Sequence, residues 1–448
     1  MNDAIIKFLQ TLRWTKFMPA RQLQDYQRGL LESLVRHAQA SVPFYRDTGR
    51  LKPIFAPDGS IDWSRWGEIP RLTRKELQQN FEALKSELLP PEHGQVRATS
   101  TSGTTGEPVT VLHSELSERI AWSALTLRDF EAHSIDATKH LGYLYPFTPS
   151  DFETGHAREH KEWYAGFASL GFPGTRTDIS DTQSSSSLVD TIASLKPNYL
   201  RVQPVALELM CAHDSKELLS ATDLTGIISV GEYFEGNAKS EIERQLSCKI
   251  VEVYGSSECG RMATTCAECS RYHINAETVF LEIINDDGSP TAAGDAGWAL
   301  ATPLYNCALP LVRYDHGDEA RPGQQGGCSI QLPSLEAIYG KRRTPFVFPN
   351  GMTIRPTLPP RTVVEYLGAE AFQFVQTAPD RCEIRFVPGR ISTENMRFDD
   401  MTEFIRSIWW GGLTVDYRMM DRLPTKSRYS KTARFVQEMP VFGRMTDK

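Results

Sequence analysis

Thr101-Ser-Gly-Thr-Thr-Gly-Glu-Pro108 is the stretch from which the rest of the chain can be read. It packs four hydroxyl side chains and two glycines immediately ahead of the β-rich Val109-Thr-Val-Leu112. Glycines let backbone N–H groups turn inward and hydroxyls add donors, so such a segment can wrap a polyphosphate with no large side chain in the way. It is not a Walker A loop, because no Gly-Lys-Ser/Thr ending is present and a strand rather than a helix is expected to follow. A Ser/Thr/Gly run judged by composition alone would be a flexible linker. The order of the residues carries the information here.

Outward from this loop, short apolar runs alternate with helical stretches between about 135 and 340: Leu141-Gly-Tyr-Leu-Tyr145, Leu188 to Leu195, Leu207 to Cys211, Ile227-Ile-Ser-Val230, Ala238 to Leu246 and Ile250-Val-Glu-Val253. This alternation predicts an α/β architecture with largely parallel strands. Toward the N-terminus, residues 20 to 45 have apolar positions at helical spacing, halted at Pro43. Thr73 followed by Glu76 forms the signature of a capping box. After Gly340 the chain turns basic and Pro-rich (Lys341-Arg-Arg-Thr-Pro-Phe-Val-Phe-Pro-Asn-Gly351). Two alternating strands around a Pro-Asp turn follow, then a helix from about Arg397 to Trp410 and a strand near Leu413. We therefore expect a large α/β domain over 1–340 with mixed or parallel sheets and flanking helices, and a small, mobile α+β domain over 341–448, with Lys341 and Arg342 at the hinge.

The 448 residues, 40% hydrophobic and 23% charged, exclude a disordered chain, and a net charge of −7 without a long basic run argues against a nucleic-acid-coating protein. Eight cysteines are too few for a disulfide scaffold at this length. The N-terminal stretch has the wrong build for a secretory signal, and nowhere do about 18 apolar residues run uninterrupted. The expectation is a reduced cytoplasmic protein with neither membrane nor nucleic-acid partner.

Thr101-Ser-Gly-Thr-Thr-Gly-Glu-Pro108 resembles the phosphate-binding signature of the adenylate-forming superfamily, whose members join a carboxylic acid to AMP before passing the acyl group on. Further stretches match in the right order. Val230-Gly-Glu232 resembles the family's Gly-Glu along the adenine. Val253-Tyr-Gly-Ser-Ser-Glu258 resembles its Tyr-Gly-x-Thr-Glu, and Leu311-Val-Arg-Tyr-Asp-His-Gly-Asp318 resembles the segment whose final Asp grips the ribose hydroxyls. The resemblance implies that Thr101, Ser102, Gly103, Thr104, Thr105 and Gly106 bear the phosphates of ATP. It further implies that Gly231, Glu232, Tyr254, Gly255 and Ser256 surround the base, that Ser257 meets the α-phosphate, that Glu258 holds magnesium and that Asp318 holds the ribose. Arg422-Leu-Pro-Thr-Lys-Ser-Arg-Tyr-Ser-Lys431 resembles the closing Pro-Arg-x-x-Gly-Lys signature, which makes Lys431 the cation that neutralises charge as the carboxylate attacks, with Lys426 as the near alternative. The chain departs from the family in having Val109 and Thr110 where a lysine often follows, and Ser430 where glycine is usual. Leu34 to Arg46 and Ile69-Pro-Arg-Leu-Thr-Arg-Lys75 place the resemblance in the phenylacetate-CoA ligase and F390-synthetase branch. That branch implies a small carboxylic acid as substrate and coenzyme A as the usual acceptor; carrier-protein thiols or amines are alternatives, and pairing with a second copy is open. Aromatic residues around 141 to 167, namely Phe147, Phe152, Trp163, Tyr164 and Phe167, either line an acid pocket suited to aryl or arylacetic acids or pack the core.

Cys266-Ala-Glu-Cys-Ser-Arg-Tyr-His273 presents two thiols and an imidazole at a spacing that lets three ligands converge on one tetrahedral ion, chemistry that suits zinc. Branch members often carry matches to Cys269 and His273 and a downstream Cys-x-Cys-Gly pair, of which this chain keeps Cys328. The expected set is Cys266, Cys269, His273 and Cys328, closing a structural site that clamps loops 259–273 and 326–330, with Cys259 as rival for the fourth place. Two readings of other classes compete. His156-Ala-Arg-Glu-His160 matches the His-x-x-Glu-His of zinc peptidases, in which two imidazoles on one helix face hold the metal and Glu159 activates water. A nucleotide-binding homologue without chemistry is the other, suggested by the residues at 109 and 430.

Overall fold

The structure is a computed structural model, and it describes residues 2–100, 108–145, 157–234, 236–324, 326–341, 345–389, 393–423 and 434–439. It divides into two compact units: Met1–Ala137, Gly166–Phe172 and Val251–Arg342 form one, and Thr138–Ala165, Pro173–Ile250 and Arg343–Lys448 form the other. Residues from 343 onward thus share a compact unit with 138–165 and 173–250. The division at 340/341 expected from the sequence rests on a hinge and is not the division by compactness.

In the first unit the amphipathic helix Ala20–Ser41 buries Leu23, Leu31, Leu34, Val35 and Ala38. It stops two residues before Pro43, whose fixed φ then serves the first turn of a further short helix, Pro43–Thr48. Thr73 and Glu76 form the expected capping box, which starts the helix Arg74–Gln79. The strands Val96–Ser100 and Thr110–Ser114 pair antiparallel, from Val96 opposite Ser114 to Ser100 opposite Thr110, so the strand anticipated after Pro108 is present. A run of antiparallel neighbours carries the site: Lys249–Ser256 beside Gly260–Thr265, then Tyr272–Ile274, Ser334–Lys341, Tyr314–Pro322, Gly297–Pro303 and Val279–Ile284. The two-residue strand Leu72–Thr73 adds parallel to Tyr314–Pro322, with Leu72 opposite Tyr314 and Thr73 opposite Asp315. Val35, Tyr45, Leu72, Val111, Met262 and Tyr314 meet in one core, and each such side chain removed from water stabilises the fold by about 1.5–3 kcal/mol.

In the second unit the strands Leu141–Tyr145, Arg176–Ser180, Tyr199–Val202 and Gly226–Val230 run parallel, as the alternating sequence predicts. Their apolar faces (Leu144, Ile179, Leu200, Ile227) pack with Leu188, Ile192, Leu207 and Met210 of the helices Ser185–Leu195 and Pro204–Ala221. The C-terminal portion is the expected α+β unit. Ala369–Ala378 and Arg381–Pro388 form a hairpin, Thr414–Met419 and Phe435–Gln437 add parallel on either side, and the helix Phe398–Ile408 buries Met401 and Ile405. An aromatic group holds this portion together, with Phe374 stacked on Phe435 at 5.3 Å and Trp409 edge-on to Phe346 at 5.7 Å. No helix among the described residues is long and apolar enough to cross a membrane.

Candidate active site and metal centre

The turn Ser257-Glu258-Cys259 joins the strands Lys249–Ser256 and Gly260–Thr265. Its tightness depends on glycine at both flanks. A Cβ at Gly255 would overlap the Gly260 carbonyl oxygen, and one at Gly260, where φ is +75°, would overlap the Trp122 indole. The backbone N–H of Cys259 donates to Ser256 Oγ at 3.0 Å, and His113 Nε2 lies 2.7 Å from the Ser257 carbonyl oxygen. The Ser257 side chain is left exposed while Glu258 and Cys259 turn inward.

Glu258 is buried, and among the described residues Arg74 Nη1 at 3.1 Å and the Tyr314 hydroxyl at 3.4 Å donate to its Oε1. Asp318 lies on the neighbouring part of the same unit. Its Oδ2 accepts from the Tyr254 hydroxyl at 3.1 Å and stands 3.1 Å from His316 Nδ1, while His316 Nε2 is 3.4 Å from the Tyr254 oxygen. Burial and the adjacent Asp318 charge both push the Tyr254 phenol well above its ordinary pKa, so it stays a proton donor. Burial opposes a charge on His316, but Asp318, Glu258 and Asp315 outweigh it and raise its pKa. Burial, reinforced by Glu258, likewise keeps Cys259 a neutral thiol.

Three motif residues therefore converge in the first unit: Tyr254, Glu258 and Asp318. Lys341 is the register partner of Asp318 on the adjoining strand. Gly231 and Glu232 belong to the second unit, where Gly231 has φ +92° at the end of Gly226–Val230 and Glu232 Oε2 lies 3.9 Å from Arg434 Nη2. Thr101, Ser102, Gly103, Thr104, Thr105, Gly106, Arg342, Lys426 and Lys431 lie outside the described residues. Sequence reasoning missed Arg74, Tyr314 and His316. Arg74 sits inside the quoted Ile69–Lys75 stretch, but nothing in its spacing ties it to an acid 184 positions away. The pairing arises only because Leu72–Thr73 adds to the Tyr314 strand.

The thiol cluster assembles in the same unit. Cys266 follows Gly260–Thr265, His273 is on Tyr272–Ile274 and Cys328 precedes Ser334–Lys341; with Cys269 their ligand atoms all lie within 4.8 Å of one another. His273 Nε2 is 3.2 Å from Cys328 Sγ and 3.8 Å from Cys269 Sγ. Its Nδ1 is 3.0 Å from the Leu332 carbonyl oxygen, the bond that fixes a ring so that Nε2 offers its lone pair to a metal. Glu268 pins the two loops together by accepting from the Ser329 backbone at 2.7 Å and its hydroxyl at 2.6 Å, and Arg271 donates to the carbonyls of Gln324 and Gly326. A tetrahedral zinc site with bonds of about 2.0–2.3 Å needs ligand atoms about 3.5–4 Å apart, and this donor set suits it. Cys259, the rival fourth ligand, is buried in the core beside Glu258 instead.

The peptidase pattern is overturned by secondary structure. Ala157–His160 is a strand, not a helix, so Glu159 and His160 point to opposite faces. His160 Nε2 is 2.7 Å from the buried Asp178, a carboxylate that also pairs with Arg176 and Arg158. His156 lies outside the described residues. Of the aromatic residues considered for an acid pocket, Trp163 and Phe167 are core residues: Trp163 donates to the Lys139 carbonyl and packs edge-on to Tyr199, and Phe167 packs edge-on to Phe130. Phe147 and Phe152 also lie outside the described residues.

Paired strands on either side of the Ser/Thr/Gly segment, a Tyr-Gly-x-x-Glu hairpin and an Asp on another strand of the same sheet define a nucleotide-handling α/β enzyme, and the model of the AMP-binding enzyme family matches residues 69–337. The chain belongs to that family, the adenylate-forming enzymes. Within it the chain falls in the phenylacetate-CoA ligase-like branch. It is 26% identical over 354 residues to the phenylacetate-coenzyme A ligase of Escherichia coli (strain K12), covering 77% of each chain. It is 23% identical over 309 residues to that of Thermus thermophilus, covering 67% of this chain and 66% of the other. Among solved structures, 2-hydroxyisobutyryl-CoA ligase in its postadenylation state has the same fold, with a TM-score of 0.69 at 15% identity, covering 94% of this chain and 91% of that one.

Proposed function

We propose that this chain is an AMP-forming acid–CoA ligase: it activates a small carboxylic acid with ATP, releasing pyrophosphate, and passes the acyl group to the thiol of coenzyme A. The observation that carries this reading is the buried convergence of Tyr254, Glu258 and Asp318 in a chain of the AMP-binding family. In the first half-reaction the carboxylate attacks the α-phosphorus. The loop from Thr101 to Gly106 bears the departing phosphates, Ser257 meets the α-phosphate, Tyr254 with Gly231, Glu232, Gly255 and Ser256 borders the base, and Asp318 holds the ribose. These groups act by holding the reactants in line and by opposing the charge that develops. Lys431 supplies the neutralising cation. A turn of the C-terminal domain about Lys341 and Arg342 then withdraws it so that the thiol can attack the acyl carbon and expel AMP.

Glu258 fits a hard divalent cation, since it offers carboxylate oxygens and is anchored through Oε1 by Arg74 and Tyr314. Magnesium there would neutralise phosphate charge. Cys266, Cys269, His273 and Cys328 fit zinc, and four protein ligands leave no open position, so its role is structural. The relatives support an aryl or arylacetic acid as substrate. A pyrophosphate-exchange screen across arylacetic, aryl and aliphatic acids, followed by thioester formation with coenzyme A, tests the proposal. Exchange with at least one aromatic acid and consumption of the thiol are expected. Exchange with none would overturn the activity, and exchange without thiol consumption would overturn the acceptor.

A further inference from the structure

Asp318 is held by side chains that the motif itself does not explain. The segment Tyr314-Asp-His-Gly-Asp318 sets His316 and Asp318 on either side of Gly317, whose φ of +83° lets the two side chains meet at 3.1 Å. Asp318 Oδ2 takes the Tyr254 hydroxyl proton at 3.1 Å and faces His316 Nδ1 at 3.1 Å. The Tyr254 hydroxyl has a single proton and gives it to Asp318, and His316 Nε2 stands 3.4 Å from the phenol oxygen. His316 thus faces the acid through Nδ1, with Nε2 beside the phenol oxygen, and the Nδ1 contact meets the Tyr254 hydroxyl on the same carboxylate oxygen. It is buried, with 7% of its surface exposed, so no water competes for these bonds. A carboxylate with one oxygen fixed twice has a defined plane, and a defined plane is what recognition of a pair of vicinal hydroxyls requires.

We infer that His316 is a positioning residue for ribose recognition, acting through Asp318 and Tyr254 to make the enzyme discriminate ATP from nucleotides lacking a ribose hydroxyl. The inference rests on Asp318 facing the ribose. Its test compares ATP with 3′-deoxy-ATP, in pyrophosphate exchange and in direct binding by calorimetry, for the wild type, His316→Ala, His316→Asn and Asp318→Asn. Loss of a hydrogen bond to a charged group predicts a rise of about tenfold in KM and Kd for ATP in His316→Ala, with kcat changed less than about threefold. The constants for 3′-deoxy-ATP should move little, so the preference for ATP collapses. His316→Asn, whose amide nitrogen stands near the place of Nδ1, should recover part of that preference. Equal weakening toward both nucleotides, or a lowered melting temperature with the preference intact, would overturn the inference. Should His316→Ala not fold, the Asn variant decides by the same ratio. A wild type that binds ATP and 3′-deoxy-ATP equally would remove the ribose role of Asp318 and the inference with it. A wild type that discriminates in calorimetry but exchanges with no acid would sink the proposed activity alone.

Discussion

The strand Gly260–Thr265 ends in two different kinds of site. Before Gly260 lies the Glu258 turn, and after Thr265 begins the Cys266 loop, about 20 Å apart at the rise of an extended strand. At the carboxylate end the charges are already engaged: Glu258 with Arg74 and Tyr314, Asp318 with His316 and Tyr254. At the thiol end, three sulfurs and an imidazole crowd within 4.8 Å, with the Arg271 guanidinium beside Cys269. Preorganised charge is useful for opposing a charge that appears during a reaction. Three thiols and an imidazole at tetrahedral spacing are a donor set suited to a zinc ion. The two ends therefore differ in what a mutation should remove, activity at one and stability at the other.

The largest effect is expected at the carboxylate end. Glu258→Gln keeps the shape of the side chain and removes its charge, and pyrophosphate exchange should fall by at least about 100-fold, the scale of losing a preorganised electrostatic contact. Exchange within a few-fold of wild type would break the comparison, because a dispensable Glu258 would be merely a partner for Arg74. At the other end, Cys269→Ser or exhaustive chelation should lower the melting temperature by at least about 5 °C, since each kcal/mol is worth roughly 2–4 °C in domains of this order. Kinetic constants measured well below that transition should change only a few-fold. Elemental analysis should find about one zinc per chain in protein prepared without chelator; under about half an equivalent would remove the metal assignment.

A smaller effect separates anchoring from catalysis within the carboxylate end. Arg74 donates to Glu258, so Arg74→Ala should raise the magnesium concentration for half-maximal exchange, by about tenfold if it resembles other outer-shell residues. Arg74→Lys should recover part of the loss. An unchanged magnesium requirement with a reduced melting temperature would assign Arg74 to the fold alone.

What could be read from the sequence was local. The capping box at Thr73, the strand after Pro108 and the hairpin around Pro379-Asp380 each depend on residues within a few positions of one another, and each is present. Cys266, Cys269 and His273 were legible for the same reason. Cys328 needed the family pattern, because 55 residues of chain separate it from His273. The bonds of His316 and Arg74 depend on strand pairing between distant segments, which no periodicity reveals. The His-x-x-Glu-His match failed for a related reason: five residues do not fix a backbone conformation, and pairing of 157–160 with Arg176–Ser180 made the segment extended. The compact grouping of 343–448 with 138–250 was equally invisible, since it is decided by apolar residues of both stretches meeting in one core.

The smallest expected effect concerns proton binding at His316. Its pKa is raised in the folded protein because Asp318, Glu258 and Asp315 outweigh burial, whereas in the unfolded chain it titrates near about 6.5. A base whose folded pKa is raised contributes its full stabilisation below the unfolded value and loses it as pH rises through the folded one. His113 and His273 act in the opposite sense, because burial lowers their pKa values and favours their neutral forms. The pH profile of the wild type alone therefore mixes both. The difference in melting temperature between wild type and His316→Asn cancels the shared histidines, and it should be largest near pH 6 and shrink by a few degrees in the alkaline range. A difference that grows with pH would mean that a neutral imidazole is the stabilising form, and the carboxylate end would then be held by hydrogen bonds without the ion pair.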